Sequence, residues 1–148
     1  MVPHPLFHAI AIPEEALLSP WRLTKLTEAD LEEDWQAVSR SASRLEGFFP
    51  GWPGGITKEE NRLDLAHHHV EFASRRSYAW VIRQGDGRYV GCAYVQPGWD
   101  PAAPIDAPFW FREGEEAAEP AFSEAWRQWL AEPPWPAMTV TVRAPSLP

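Results

Sequence analysis

The sequence predicts an α/β layer fold of the α+β kind, a mixed central sheet with helices on both faces. Three observations lead there. The first is a central hairpin, Tyr78–Arg83 and residues 88–96 around Gln84-Gly85-Asp86-Gly87, where Asp-Gly between apolar runs supplies the positive φ of a twist-matched turn. The second is that both of its strands are apolar on both faces. Tyr78, Trp80 and Ile82 alternate with Ala79 and Val81, and Val90, Cys92 and Tyr94 with Gly91, Ala93 and Val95, as in an inner hairpin covered twice. The third is helical periodicity before and after it.

Residues 1–20 carry four prolines. They read as an extended N-terminal arm on a single domain spanning 21–148, with Ala9-Ile10-Ala11-Ile12 its one strand-like run. Residues 21–26 form a short strand. Thr27 then caps a helix, with Glu28 and Asp30 at its positive end and Leu31, Trp35, Val38 and Ala42 as its buried stripe, and Gly47 stops it. Phe48-Phe49-Pro50-Gly51-Trp52-Pro53-Gly54-Gly55 is an aromatic loop. Thr57 and Glu60 form a capping box that opens a second helix, whose stripe reads Leu63, Ala66, Val70 and Ala73. After the hairpin come a Gly/Pro loop over 97–104 and a third long strand over 106–111. Pro108 in that strand removes a ladder donor and marks a bulge or splay. Pro120 opens a third helix facing inward through Phe122, Ala125, Trp126, Trp129 and Leu130, and a final strand covers 138–143.

A chain of 148 residues suits one domain. A formal charge of -8 argues against nucleic acid, which needs clustered Lys and Arg. No apolar run approaches the ~20 residues of a membrane span, and one cysteine forms no internal disulfide, so the expected setting is the cytoplasm. Cys92 lies in an apolar strand without a neighbouring base and reads as an inert thiol. His67-His68-His69 cannot chelate one ion, because consecutive helical residues point about 100° apart, and no metal is expected. Ser39, Ser41 and Ser43 lack the strained turn of a catalytic serine.

Several stretches in order resemble the Gcn5-related N-acetyltransferase (GNAT) superfamily, in particular a short bacterial branch. They are Trp21-Arg22-Leu23 with Leu26-Thr27, Trp52-Pro53 before Thr57 and Glu59-Glu60-Asn61, and Leu65-Ala66, His68, Glu71-Phe72 and Arg75. Val90-Gly91-Cys92-Ala93-Tyr94-Val95 and Trp110-Phe111-Arg112 complete the set, which covers about residues 21–143. The resemblance implies a GNAT-like fold, here truncated after the fifth strand because the family's next helix and last hairpin would follow residue 143. It implies transfer of acetyl from acetyl-CoA to a small amine. It also implies a cofactor site where two parallel strands splay, at Trp110, Phe111, Arg112, Glu113 and Gly114. Asp106 would be the general base or an orienting group towards the amine, and Phe49 and Trp52 would line the acceptor site, an aromatic lid suited to an apolar or cationic small ligand.

The family's pyrophosphate pattern of spaced glycines is missing from Arg112-Glu113-Gly114-Glu115-Glu116-Ala117-Ala118-Glu119-Pro120. Four glutamates repel a pyrophosphate and Pro120 removes a donor, so this segment also reads as a solvated acidic helix cap. Two functions stay open on the sequence: an acetyltransferase, or a catalytically idle GNAT-fold module that binds a small molecule or self-associates. The alternation of Thr139, Thr141 and Arg143 with Met138, Val140 and Val142 leaves a strand edge to be covered by the N-terminal arm or by a second copy, which suggests a homodimer.

Overall fold

The computed structural model describes residues 2–147. Six strands form one mixed sheet in sequence order: β1 (Glu15–Leu18), β2 (Trp21–Lys25), β3 (Tyr78–Arg83), β4 (Tyr89–Asp100), β5 (Ala103–Phe111) and β6 (Val140–Arg143). All neighbours are antiparallel except β5 and β6, which run parallel. Helices α1 (Leu31–Arg40), α2 (Ala42–Leu45) and α3 (Lys58–Ala73) lie with the 46–57 loop on one face, and α4 (Glu119–Leu130) lies with the N-terminal segment on the other. No helix among the described residues is long and apolar enough to cross a membrane.

The hairpin sits at the centre as expected. Gly87 takes a φ of 89°, its N–H donates to the Gln84 carbonyl at 2.9 Å, and Arg88 N–H donates to the Asp86 carboxylate. All five residues of β3 before Arg83 are buried, as is β4 from Tyr89 to Val95, so water reaches neither face. Alternate residues feed two cores. Trp80 points towards α4, where its ring meets Trp126, Trp129 and Trp135 edge-on at 6.0, 5.5 and 6.2 Å, contacts worth about 0.5–1.5 kcal/mol each beyond burial. Tyr89, Cys92 and Tyr94 face α1 and α3. Amide exchange is therefore expected to be slowest at residues 81–82 and 90–94. Fast exchange throughout that hairpin would contradict this sheet order.

Several expectations need correction. The N-terminal strand is Glu15–Leu18, not Ala9–Ile12, and it pairs with β2 in a tight antiparallel hairpin. Residues 2–20 thus join the sheet through β1, with Phe7 completely buried and the Pro13 carbonyl accepting from the Trp80 indole N–H. They reach the edge opposite β6, so the arm does not cover the final strand, which among the described residues pairs with β5 alone. The loop over 97–104 is largely strand: β4 runs on to Asp100 and β5 starts at Ala103, with a register shift where Pro97, Gly98 and Pro104 break the regular pleat. Pro108 interrupts the β4–β5 ladder, which has pairs at Ala93–Phe109 and Gln96–Asp106 but none between them.

The helix stripes also shift. Helix α1 buries Asp34, Ala37 and Val38 rather than Trp35 and Ala42. Helix α3 buries Asn61, Leu65 and Phe72, while Leu63 and Val70 are each 54% exposed. Apolar periodicity cannot see a buried face that carries polar residues. Those polar residues are the ones that build a site.

Candidate functional site

A cavity of about 290 Å³ opens between α1, α3, β4 and the aromatic loop. Its apolar walls are Leu26, Leu65, Phe49, Trp52 and Tyr94. Phe49 holds the loop down, its ring meeting Tyr94 edge-on at 5.1 Å and Trp52 at 5.3 Å. Tyr94 is fixed in turn by the Trp110 indole N–H, which donates to its hydroxyl at 3.0 Å. Phe49 and Trp52, which the sequence reading assigned to an acceptor site, both line this cavity. Trp110 supports that wall from behind and lies away from the turn that follows β5.

The floor is polar. Asp34, 3% exposed, accepts from the Tyr89 hydroxyl at 2.5 Å and from Asn61 Nδ2 at 2.8 Å, with Cys92 Sγ at 3.7 Å. Burial raises its pKa and these hydrogen bonds oppose the rise. Among the described residues no Lys, Arg or His forms an ion pair with it. Burial also pushes the Cys92 thiol and the Tyr89 and Tyr94 hydroxyls well up, so Cys92 carries no thiolate. Asp64 stands at the rim, and partial burial raises its pKa too.

The three histidines point apart. His67 pairs with Glu71 and His69 faces Glu28, whereas His68 turns inward against Tyr94, ring centroids 5.6 Å apart. Burial lowers the His68 pKa from 6.5 to about 4, so a neutral imidazole lines the cavity. A depressed folded-state pKa means the unfolded chain binds the extra proton first. Stability is then complete above about pH 6.5 and falls as the pH drops towards 4. The loss is expected to be on the order of 2–3 kcal/mol, read from urea midpoints across that range. It should be absent from His68→Gln, and an identical pH profile for the variant would contradict the inward placement.

Asp106 lies at the edge of this region on β5. Arg143 of β6 holds both of its oxygens, Nε to Oδ1 at 3.1 Å and Nη2 to Oδ2 at 3.0 Å, and Gln96 of β4 donates to Oδ2. Arg143 also donates to the Phe48 carbonyl at 2.7 Å, with its guanidinium 4.6 and 5.3 Å from the Phe48 and Phe49 ring centroids. One carboxylate thus ties three strands to the aromatic loop. Asp106, suggested by the sequence as a base or orienting group towards an amine, has Arg143 and Gln96 as its partners.

Phe111 to Gly114 lie elsewhere, where β5 and β6 diverge. The parallel pairing spans Ile105–Pro108 against Val140–Arg143, and β5 then runs on to Phe111 paired with β4 alone. Every amide there has an internal acceptor. Phe111 N–H donates to Glu119 Oε2 at 2.9 Å and Arg112 N–H to the Val90 carbonyl at 2.8 Å. Glu113 N–H donates to Ser41 Oγ at 2.9 Å, and Gly114 N–H to Glu116 Oε2 at 2.5 Å. Backbone amides lower the Glu116 pKa, so it stays ionised in this turn. Glu119 is fully buried and salt-bridged to Arg44 Nη2 at 2.8 Å, while Arg44 Nη1 donates to the Phe111 carbonyl. The donors a coenzyme phosphate or thioester would need are already taken within the chain, two by carboxylates, one by the Val90 carbonyl and one by the Ser41 hydroxyl. In this arrangement these residues do not fit acetyl-CoA.

Sequence reading missed Asp34, Asn61, His68, Arg44 and Glu119. The spacing 61, 65, 68 and 72 is itself a helical face, but a polar one. Nothing local distinguishes Glu119 from the glutamates before it.

The six-stranded sheet with its helices on both faces and its parallel β5–β6 pair is the GNAT acetyltransferase fold, and the structural neighbours are GNAT acetyltransferases. The ribosomal L7/L12 α-N-protein acetyltransferase RimL in complex with coenzyme A is similar with a TM-score of 0.65 at 16% identity, over 80% of this chain and 68% of that one. A ribosomal-protein-S5-alanine acetyltransferase from Vibrio fischeri gives 0.57 at 10% identity, over 79% and 67%. A GNAT-family acetyltransferase from Bordetella pertussis gives 0.57 at 14%, over 79% and 73%. No family model and no curated protein matches the sequence.

Proposed function

We propose that this chain is a GNAT-fold protein that binds a small organic amine, as its cation, in the cavity over β4. The observation that carries the reading is the pairing of aromatic walls with a buried carboxylate. Phe49, Trp52 and Tyr94 line the cavity with aromatic rings, which attract a cation. Asp34 beneath them has hydrogen bonds but no counter-charge. Leaving a buried carboxylate without one is costly, and a ligand ammonium supplies it. Asp64 at the rim adds attraction of the same sign, and the volume suits a molecule near the small end of common ligand sites.

A second reading is acetyl transfer from acetyl-CoA to that amine. The coenzyme A complex of one structural neighbour favours it. Of the two groups that could take the proton an ammonium must lose before it can attack, His68 lines the cavity and Asp106 does not, and burial leaves that imidazole a weak base. The occupied amides of Phe111 to Gly114 weigh against this reading.

The test is thermal unfolding with phenethylamine and butylamine against phenylpropionate. A ligand at about 100 times its Kd stabilises by roughly 2.7 kcal/mol. The amines should raise the midpoint and the anion should not, and Trp52→Ala should abolish the rise. Equal responses to the amines and the anion would sink the proposal.

A further inference from the structure

We infer that Glu119 is the standing occupant of the anion position where β5 and β6 part, and that it excludes acyl-CoA from this chain. Diverging parallel strands expose backbone N–H groups, and the first turn of a helix adds more. Together they attract an anion. Here that anion is internal. Glu119 opens α4 and turns its carboxylate back into the gap, taking Phe111 N–H on one oxygen. Its other oxygen takes Ser146 N–H at 3.0 Å and Arg44 Nη2 at 2.8 Å.

Arg44 makes the arrangement a latch. Its Nη2 also donates to Ser146 Oγ at 2.7 Å and its Nη1 to the Phe111 carbonyl at 3.0 Å, so β5, α4, α2 and the segment after β6 close on one buried ion pair. An incoming coenzyme would have to displace a carboxylate that is fully buried, neutralised and bonded at both oxygens. It would also meet Glu113, Glu115 and Glu116 around the same turn. Glu116 already accepts from Gly114 N–H. The inference concerns the donor side alone and does not depend on what the cavity over β4 binds.

The experiment is calorimetric titration of acetyl-CoA, and separately of coenzyme A, into the full chain and into the double variant Arg44→Met, Glu119→Ala, which leaves no buried charge unpaired. The wild type should give no saturable binding heat up to millimolar ligand, and the double variant should give a saturable one. A low-micromolar Kd for the wild type would overturn the inference. A double variant as unresponsive as the wild type would overturn Glu119 as the cause of exclusion. Should that variant fail to fold, the wild-type amide resonances decide. With acetyl-CoA in excess, Phe111 and Ser146 stay in place if Glu119 holds them and move if the coenzyme displaces it. Amine binding in the cavity would be unaffected either way, which keeps the two proposals separable.

Discussion

Glu119→Ala alone is expected to destabilise the protein by about 3–5 kcal/mol in urea denaturation, because it strands a buried guanidinium. Arg44 is only 17% exposed at its side chain, and Glu119 is its carboxylate partner. The variant also leaves Phe111 and Ser146 N–H without an acceptor, each costing about 1–3 kcal/mol if water cannot reach it. The double variant with Arg44→Met should lose no more than Glu119→Ala does, since the charge needing the carboxylate is gone. Losses that simply add would show that the two residues do not act as a unit.

Gly91→Ala should be as damaging for a different reason. Gly91 sits in β4 opposite Phe111, and a Cβ there would stand 2.0 Å from the Trp110 carbonyl oxygen and 3.0 Å from Phe111 Cα. Both are backbone atoms in the buried part of β5, so no side-chain rotation relieves the clash. The two central strands would have to separate. A loss of about 3 kcal/mol or more is expected, at the upper end of overpacking costs, again read from the urea midpoint. A variant of wild-type stability would contradict the close approach of β4 and β5. Since β5 carries both Asp106 and Phe111, the same separation should loosen the anchor of the aromatic loop and the latch at once.

What could be read from the residues, and what could not, divides along physical lines. The hairpin announced itself through Asp86-Gly87 and two fully apolar strands, signals that are local and strong. Thr57 with Glu60 gave the start of α3, because a capping box is written in four adjacent residues, and the structure forms both of its hydrogen bonds. Strand β1 stayed hidden because Glu15-Ala16-Leu17-Leu18 pairs at an edge and has little apolar alternation to show. The two helix stripes were misplaced for one shared reason. The faces that turn inward carry Asp34, Asn61 and His68, and their burial depends on each other and on Tyr89 across the space between elements. Phe49 and Trp52 were legible as loop aromatics beside a cavity. Glu119 was not, since its identity as a buried ion-pair partner rests on Arg44, 75 positions away in the chain.

The most direct check on the proposal that the cavity over β4 binds an amine is a titration of the wild-type protein with phenethylamine, followed through the tryptophan indole N–H resonances. The Trp52 resonance should move saturably, followed by Trp110 through its hydrogen bond to Tyr94. Trp21, Trp80 and Trp126, in the core on the other face of the sheet, should stay in place. A saturable shift confined to that other face, with Trp52 unmoved, would contradict the cavity over β4 as the binding site.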